Sequence, residues 1–320
     1  MPSGSYGSDV GGETMRGCGR GVLGPSFQVA AVLLYAGAPA LAQTAGTLTL
    51  AEGGVALIRG ATLYTAAQGV RLGDGDILSI DPKGQAQIEF QDGAILNLSQ
   101  GARAMLISIA PERGTRGHSE VAVLSGWAKF TQKKSGKGTQ YRYLTPRAEI
   151  AAGEATAVLN AGKEFTDIFI ESGAVKFSEI GAKGAQTAAR DAKGGEFIVR
   201  RVEQPATFAP RPSAEFVKNM PRHFQDNLPV LLDRFKSRKV EPRREHEVTY
   251  AEVEAWLKAG FSIRRTFVKR FEGRSKDSEF RGKLIENLRE HPEWDRVLYP
   301  EKYEPKDPNG PKSGQSGTQQ

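Results

Sequence analysis

Dispersed carboxylates supply the residue types that hydrolyse polysaccharides. Glycosidases hold two carboxyl groups about 5 Å or about 6.5–9.5 Å apart, one as the acid and the other as the nucleophile or base. The carboxylates available for such a pair are Glu89, Asp92, Glu154 and Asp167. The sequence does not bring any two of them together, so a polysaccharide-active enzyme stands as an alternative function.

Metal-binding patterns are incomplete in this sequence. Asp74 and Asp76 offer two carboxylates in one Gly-containing turn, which is too few ligands for calcium, so a role in the turn itself is favoured. His246-Glu247 lacks a second histidine four residues on, which a zinc protease motif requires. The other histidines are scattered along the chain: His118, His223 and His291. We predict no metal site and no cofactor.

Motifs for nucleotide binding and nucleophilic catalysis also fail. The segment Ser135–Thr139 is similar to a phosphate-binding loop, but Thr131 stands where the first glycine should be. Gly138 follows Lys137 where serine or threonine is required, which favours a polar hairpin tip. Local spacing assembles no Ser/His/Asp set. The sequence therefore predicts a protein that is not an enzyme, with a purely structural exported protein as a further alternative.

A basic segment near the C-terminus is the candidate binding site. Its cations lie around Phe267 and Phe271 on one predicted helix, and they are Arg264, Arg265, Lys269 and Arg270. A basic helix face can bind nucleic acid, an anionic lipid surface or an acidic polymer. The alternative is a solvated face that pairs with nearby glutamates, namely Glu252, Glu254 and Glu272. If the face is a binding site, its partner is anionic.

The N-terminus resembles an export signal. An apolar run at Val29–Ala36 follows Arg16 and Arg20, and Ala40-Leu41-Ala42 has the small-x-small form of a cleavage site. We therefore predict a signal peptide over 1–42, with Met15 as the true start because the preceding residues hold two acidic side chains and no basic one.

The predicted export narrows the compartment and the partners. The single cysteine, Cys18, lies in the leader, so the mature chain has no thiol for a disulfide or for catalysis. The formal net charge of +7 is moderate and spread along the 320 residues. We predict a periplasmic or secreted protein that does not span the membrane after cleavage. Its partner would be an envelope protein or an anionic envelope polymer and not a nucleic acid.

The hydrophobic pattern predicts a β-rich domain over 43–203. Gln85, Gln87 and Glu89 alternate with apolar residues up to Phe90, a turn follows at Gln91–Gly93, and the chain returns along a second apolar run. This spacing predicts a hairpin with one solvent-exposed face and one buried face. An internal echo pairs Val123–Phe130 with Ile170–Phe177, with a weaker version at Gly195–Val199. The first two copies predict a hydrophobic strand, a Ser-Gly pair and then another strand. Solenoid-like stacking and a two-sheet sandwich both fit these units.

An ordered set of motifs in this β-rich part resembles the FecR domain. The motifs are Gly54-Val55 with Arg59-Gly60, Gly69-Val70 with Leu72-Gly73-Asp74, Gly84–Phe90 with Asp92-Gly93, Val121–Gly126, Thr145–Ile150 and Thr166–Val175. The resemblance covers about residues 47–203. It implies an extracytoplasmic all-β domain without catalytic residues, which relays signals across the envelope or serves other exported proteins.

In the last hundred residues, the spacing of the apolar residues changes from every second position to about every three and a half positions. Spaced prolines predict a linker over 204–213. A small all-α domain is predicted over 214–303, where Asn227 caps a first helix and Thr249 with Glu252 forms a capping box ahead of a second. Apolar spacing predicts one helix through Ile263, Phe267 and Phe271 and another through Phe280, Leu284, Ile285 and Leu288. Residues 304–320 are predicted to be a disordered tail. The two halves are predicted to fold separately.

Overall fold

The computed structural model describes residues 46–109, 118–133, 140–181, 184–226 and 228–303. These residues belong to one compact unit, Ala42–Gln320. The predicted leader, the Ser135–Thr139 segment, the Asn227 cap and the 304–320 tail lie outside the described residues.

Strands dominate the part of the chain before Pro210, and among the described residues one more strand lies within the helical part. They are β1 Gly46–Glu52, β2 Val55–Arg59, β3 Thr62–Thr65, β4 Arg71–Leu72, β5 Ile77–Ile80, β6 Gln85–Phe90, β7 Ile95–Leu98, β8 Arg103–Ser108, β9 His118–Gln132, β10 Gln140–Leu144, β11 Ala148–Ala161, β12 Phe165–Glu179, β13 Arg190–Lys193, β14 Phe197–Arg201, β15 Gln204–Ala209 and β16 Arg243–Glu247. The β-rich class predicted from the alternating pattern is therefore confirmed.

Helices occupy the C-terminal part, as predicted, but they are short. The α-helices are α1 Ala214–Asn219, α2 Tyr250–Leu257, α3 Phe261–Arg264, α4 Phe267–Phe271, α5 Ser278–Glu286 and α6 Asp295–Leu298. The 3₁₀ helices are Arg222–Phe224, Leu232–Phe235, Glu272–Lys276, Pro292–Trp294 and Pro300–Lys302. None of these helices in the described ranges has the length and apolar character that crossing a bilayer demands.

Strand β9 pairs with different strands along its two halves. Its first half pairs antiparallel with β8 and parallel with β10, and its second half pairs antiparallel with β7 and β11. The change of partner occurs next to Gly126, which has a φ of 83°. Strand β12 contains a matching Gly173 with a φ of 78°. The two Ser-Gly sites of the sequence echo are therefore bends within long strands.

One face of β6 fills the main core and the other is also buried. Ala86, Ile88 and Phe90 lie in the largest apolar cluster, as the alternation predicts. The prediction of a wet opposite face is wrong, because Gln87 is 0% exposed and Glu89 is 2% exposed. A distant segment of the chain covers them, and local periodicity carries no signal for such a contact.

The predicted linker begins within a strand. Strand β15 pairs antiparallel with β14, and Pro205 is its second residue and does not end the ladder. Proline is tolerated here because β15 lies at the end of the strand order, where one edge needs no partner. Strand β16, where no strand was predicted, lies at the other end of that order and pairs with β3. All five of its residues are exposed.

The helical segment shares an apolar cluster with the sheet. Trp256, Phe267 and Phe271 of the helices belong to the same buried cluster as Ile77 and Met105 of the strands. The capping box of Thr249 and Glu252 is present. The helix predicted through Ile263 and Phe271 is divided into α3 and α4, and both residues are buried. The separate folding of the two halves stays a prediction.

Candidate functional site

A row of buried polar side chains crosses the sheet on its outer face. Gln87 of β6 is in register with Asn97 of β7, and Asn97 is in register with Lys129 of β9. Glu89 lies two residues beyond Gln87, on the same face of β6. We call these four residues the polar strip. Each is less than 9% exposed, although Glu89 and Lys129 are charged types that are almost never fully buried without a partner.

The polar strip lies beneath the segment Leu228–Phe235, which we call the strap. The Glu89 carboxylate accepts hydrogen bonds from the backbone N–H groups of Leu231, at 2.8 Å, and Leu232, at 3.0 Å. Gln87 donates from Nε2 to the backbone carbonyl of Pro229 at 3.0 Å and to Glu89 at 2.8 Å. The sheet therefore recognises the strap through its main chain.

Lys129 binds the chain just before the strap. Its ammonium group lies 2.9 Å from the Glu171 carboxylate and donates to the carbonyl of Phe224 at 2.5 Å. The ring of Phe224 is buried in a separate apolar cluster with Trp127, Val158 and Phe197 of the sheet. The outer face is thus apolar under Phe224 and polar under the strap.

Three polar atoms on this face have no hydrogen-bond partner among the described residues. They are Oε1 of Gln87, Oδ1 of Asn97 and Oγ of Ser99, and all three are buried. An unpaired buried polar group costs about 1–3 kcal/mol. The strap therefore leaves part of the polar strip unsatisfied.

A groove adjoins the polar strip on the same face. Thr131, Thr156 and Ser172 are in register across β9, β11 and β12, and Lys133 and Glu154 flank them. The groove has a volume of about 380 Å³. Glu89 is in register with Ile95 of β7, and Ile95 is in register with Thr131. The row of hydroxyl side chains in the groove therefore continues the line across the sheet that begins at Glu89. The covered strip and the open groove are parts of one surface.

Three of the four carboxylates considered for hydrolysis bind separate partners. Glu89 binds the strap, Asp92 accepts from the Tyr141 hydroxyl at 2.9 Å, and Asp167 pairs with Arg201. Glu154 lines the groove. Burial and the neighbouring Asp92 carboxylate raise the pKa of Tyr141 above its ordinary value. The contacts recorded for the described residues join no two of these carboxylates.

Two of the four predicted binding cations, Arg264 and Arg270, are partly buried and bind other segments of the chain. The guanidinium of Arg270 donates to the backbone carbonyls of Ile58 at 2.9 Å, Gly60 at 2.7 Å and Gly75 at 2.5 Å. Arg264 is paired with Glu293 at 3.0 Å, and its side chain is 11% exposed. Both cations link separate segments of the chain, so neither lies free on a solvated helix face.

The other two cations are exposed. Arg265 is 52% exposed and lies 3.2 Å from Glu120 of β9, which also pairs with Arg142. Lys269 is exposed, and the described residues include no ion-pair or hydrogen-bond partner for it. The binding role predicted for all four stays a prediction, and Arg265 and Lys269 are the members that a partner can reach.

The aspartates of the Gly-containing turn hold the turn together. Asp76 is buried, binds Arg59 through two hydrogen bonds of 3.0 and 2.6 Å, and accepts from the N–H of Gly73 at 2.8 Å. Asp74 accepts from the N–H of Ile109 at 2.9 Å. Across the described ranges, no group of three or more His, Cys, Asp and Glu residues has a metal-binding arrangement.

Comparison with known proteins assigns the β-rich part to a family. Residues 76–176 match the family model described as FecR protein. The chain contains a FecR domain. The match includes the polar strip and the hydroxyl row of the groove, whereas the strap lies outside it. The resemblance stated from the sequence motifs is therefore confirmed over residues 76–176, whereas the motifs between Gly54 and Asp74 lie before the match.

Solved structures show a weaker likeness to this FecR domain protein. Two crystal structures of a candidate anti-sigma factor from Parabacteroides distasonis align with 16% and 15% sequence identity and a TM-score of 0.36 each. Each alignment covers 44% of this chain and 62% of that chain, so less than two thirds of those proteins is spanned. A comparison with curated proteins returns no match.

The helical segment that packs on the FecR domain contains a buried histidine, His291, whose protonation is disfavoured in the folded chain. His291 is 0% exposed, its Nε2 lies 3.1 Å from the Tyr250 hydroxyl, and its Nδ1 has no partner among the described residues. Burial lowers the pKa of His291, and the charges of Arg264 and Lys258 lower it further, whereas the residue's own backbone and Glu293 oppose the shift.

We expect the melting temperature to fall as the pH drops below about 6.5, the ordinary pKa of histidine. The unfolded chain then binds a proton that the folded His291 resists, so the stability present above that pH is lost towards the lowered folded pKa. His291→Gln should weaken this dependence between pH values of about 7.5 and 5. His246→Gln, at an exposed position, is the control. An unchanged slope in the His291 variant would contradict the assignment.

Proposed function

We propose that this protein is a non-catalytic binding and signalling module of the bacterial envelope, built on its FecR domain. The match of residues 76–176 to the FecR family carries the proposal. The site geometry supports it, because the buried charges of the domain, such as Glu89 and Lys129, bind the protein's own chain. The export pattern of the N-terminal sequence supports an extracytoplasmic location.

The partner proposed for the helical segment is an envelope protein or an anionic envelope polymer. Arg265 and Lys269 would make the contact, because both are exposed and Lys269 has no partner among the described residues. Exposed charges attract an anionic surface over about 8 Å at physiological ionic strength, so such binding weakens as salt rises.

Export is tested by locating the mature protein and reading its N-terminus. We expect the protein to appear in the periplasmic or secreted fraction and its sequence to begin at Gln43, after the Ala40-Leu41-Ala42 site. An intact leader in the membrane fraction would contradict cleavage. Recovery of the mature chain with the cytoplasmic marker proteins would contradict the proposed location.

Retention on isolated cell envelopes tests the partner. The Arg265→Gln/Lys269→Gln variant should lose most of its retention and keep its melting temperature, since both side chains are exposed. Lys276→Gln is the matched control, because Lys276 is also exposed and carries one positive charge on the same segment. Equal loss in the control would indicate nonspecific charge attraction, and unchanged retention in the double variant would exclude this face as the site.

A further inference from the structure

We propose that the polar strip of the FecR domain is a docking site for an extended peptide segment of a partner protein, which the strap occupies in this structure. The inference rests on the proposed binding function and names its surface and the chemistry of its partner. The strap shows how the site recognises a peptide, since Leu228–Phe235 is a peptide segment bound to it.

The chemistry of the contact is that of any polypeptide main chain. Glu89 accepts from two successive N–H groups, those of Leu231 and Leu232, and Gln87 donates to one carbonyl, that of Pro229. These three hydrogen bonds require an unblocked peptide backbone and no particular side chain. Hydrogen bonds to a charged group are stronger than those between neutral groups. The site therefore selects a peptide with two consecutive free N–H groups.

The strap is suited to exchange because its side chains bury little surface. Val230 is 61% exposed, and Leu231 and Leu232 are only partly buried. Residues 228–231 have no regular secondary structure. Phe235, which packs against Gly69, is the buried side chain at the end of the strap. Segments with few buried apolar contacts open at a lower free energy than the core.

The face holds more binding capacity than the strap uses. Gln87 Oε1, Asn97 Oδ1 and Ser99 Oγ are buried acceptors without a partner among the described residues. The open groove continues the same surface along Thr131 and Thr156. A partner segment longer than the strap would supply donors to these acceptors and reach the hydroxyls of the groove. The expected ligand is thus an extended peptide with polar side chains.

A peptide of the strap's own sequence is the probe. A fluorescently labelled, end-capped peptide LPVLLDRFK, residues 228–236, is titrated with the full-length protein and its Leu231→Pro variant. Proline lacks the N–H group that donates a hydrogen bond to Glu89, and its fixed φ of about −65° conflicts with the φ of −120° at Leu231. The strap should leave the site in this variant. Because a closed site lowers apparent affinity by the fraction that is open, we expect at least about tenfold tighter binding than to the wild type.

Three controls define the recognition. Adding Glu89→Gln to the Leu231→Pro variant should weaken binding at least about tenfold, because the carboxylate supplies the acceptors. A peptide methylated on the nitrogens of its two central leucines should not bind. Val230→Ala, at an exposed strap position, should behave as the wild type. If the Leu231→Pro variant keeps the melting temperature and circular dichroism of the wild type and binds no peptide, the proposal is overturned.

Hydrogen exchange of the wild-type chain keeps the test open should the proline variant fail to fold. The amides of Leu231 and Leu232 should exchange faster than that of Leu159 in β11, through local opening. Exchange of all three amides only by global unfolding would overturn the proposal. Either negative result leaves the envelope-retention test of the proposed function unaffected, because that test concerns Arg265 and Lys269.

Discussion

Arg270→Met is expected to destabilise the protein by roughly 3 kcal/mol or more, because it removes one cation from three backbone carbonyls. The guanidinium donates to Ile58, which lies in β2, and to Gly60 and Gly75, which lie in two separate turns. It also lies 5.1 Å from the ring centroid of Phe271. Methionine preserves the apolar contact but leaves the carbonyls without these donors.

Burial makes this position sensitive. Desolvation lowers the pKa of Arg270 to about 10, and the nearby Asp76 carboxylate opposes the shift. The side chain therefore stays charged at neutral pH while it is mostly withdrawn from water, so its hydrogen bonds must compensate for the lost hydration. Lysine would keep the charge but cannot reproduce the fork of planar donors, and Arg270→Lys should fall between the wild type and the methionine variant.

Urea unfolding followed by circular dichroism measures the effect. Lys269→Met is the matched control, because Lys269 is the neighbouring residue of α4 and is exposed, so its free energy of unfolding should change by no more than about 0.5 kcal/mol. Equal stability losses in the two variants would show that the contacts of Arg270 are not what matters. A methionine variant as stable as the wild type would show that the three hydrogen bonds contribute nothing net.

The sequence could predict the β-rich class but not the covering of the outer face. Alternation along β6 correctly placed Ala86, Ile88 and Phe90 in the core. The same alternation placed Glu89 in water, whereas it binds backbone groups 142 and 143 residues further along the chain. The strap contributes main-chain atoms, whose identity is the same in every residue except proline. The pattern of side chains in a sequence therefore cannot predict such a contact.

The basic residues show a second limit of local reasoning. Treating Ile263–Phe271 as one helix placed Arg264 and Arg270 on an outer surface. The chain leaves the helical path between α3 and α4, and Arg270 meets turns of the sheet more than 190 residues away in sequence. The apolar spacing correctly identified the buried Phe267 and Phe271. It could not tell a solvated arginine from one that faces another segment.

The internal echo of the sequence located more of the structure than its apolar residues alone could predict. Ser125-Gly126 and Ser172-Gly173 were predicted to separate two strands, and each instead lies inside one long strand. Both glycines have positive φ, and both lie where a neighbouring backbone comes close. Sequence similarity thus located two equivalent bends, but the close approach that requires glycine is visible only once the strands are paired.

Gly173→Ala should therefore be among the most destabilising single substitutions in the FecR domain. An added Cβ would lie 2.1 Å from the carbonyl oxygen of Glu154 and 2.8 Å from Cα of Ala155, and both are backbone atoms that cannot move without disturbing β11. The φ of 78° adds strain of about 1–2 kcal/mol for a residue with a side chain. Loss of the β11 pairing would follow, because β12 pairs with β11 on both sides of this bend.

Gly93→Ala separates the strain of a positive φ from the clash with a neighbouring backbone. Gly93 has a φ of 84°, but a Cβ there would meet nothing within 4 Å, so it bears the backbone strain without the clash. We expect Gly93→Ala to lower the free energy of unfolding by about 1 kcal/mol. Gly173→Ala should cost at least about twice as much, because close packing adds to the strain. Thermal and urea unfolding of both variants measure the difference. Equal losses would show that β11 yields to the added methyl group, and that the bend does not depend on the close approach of the two strands.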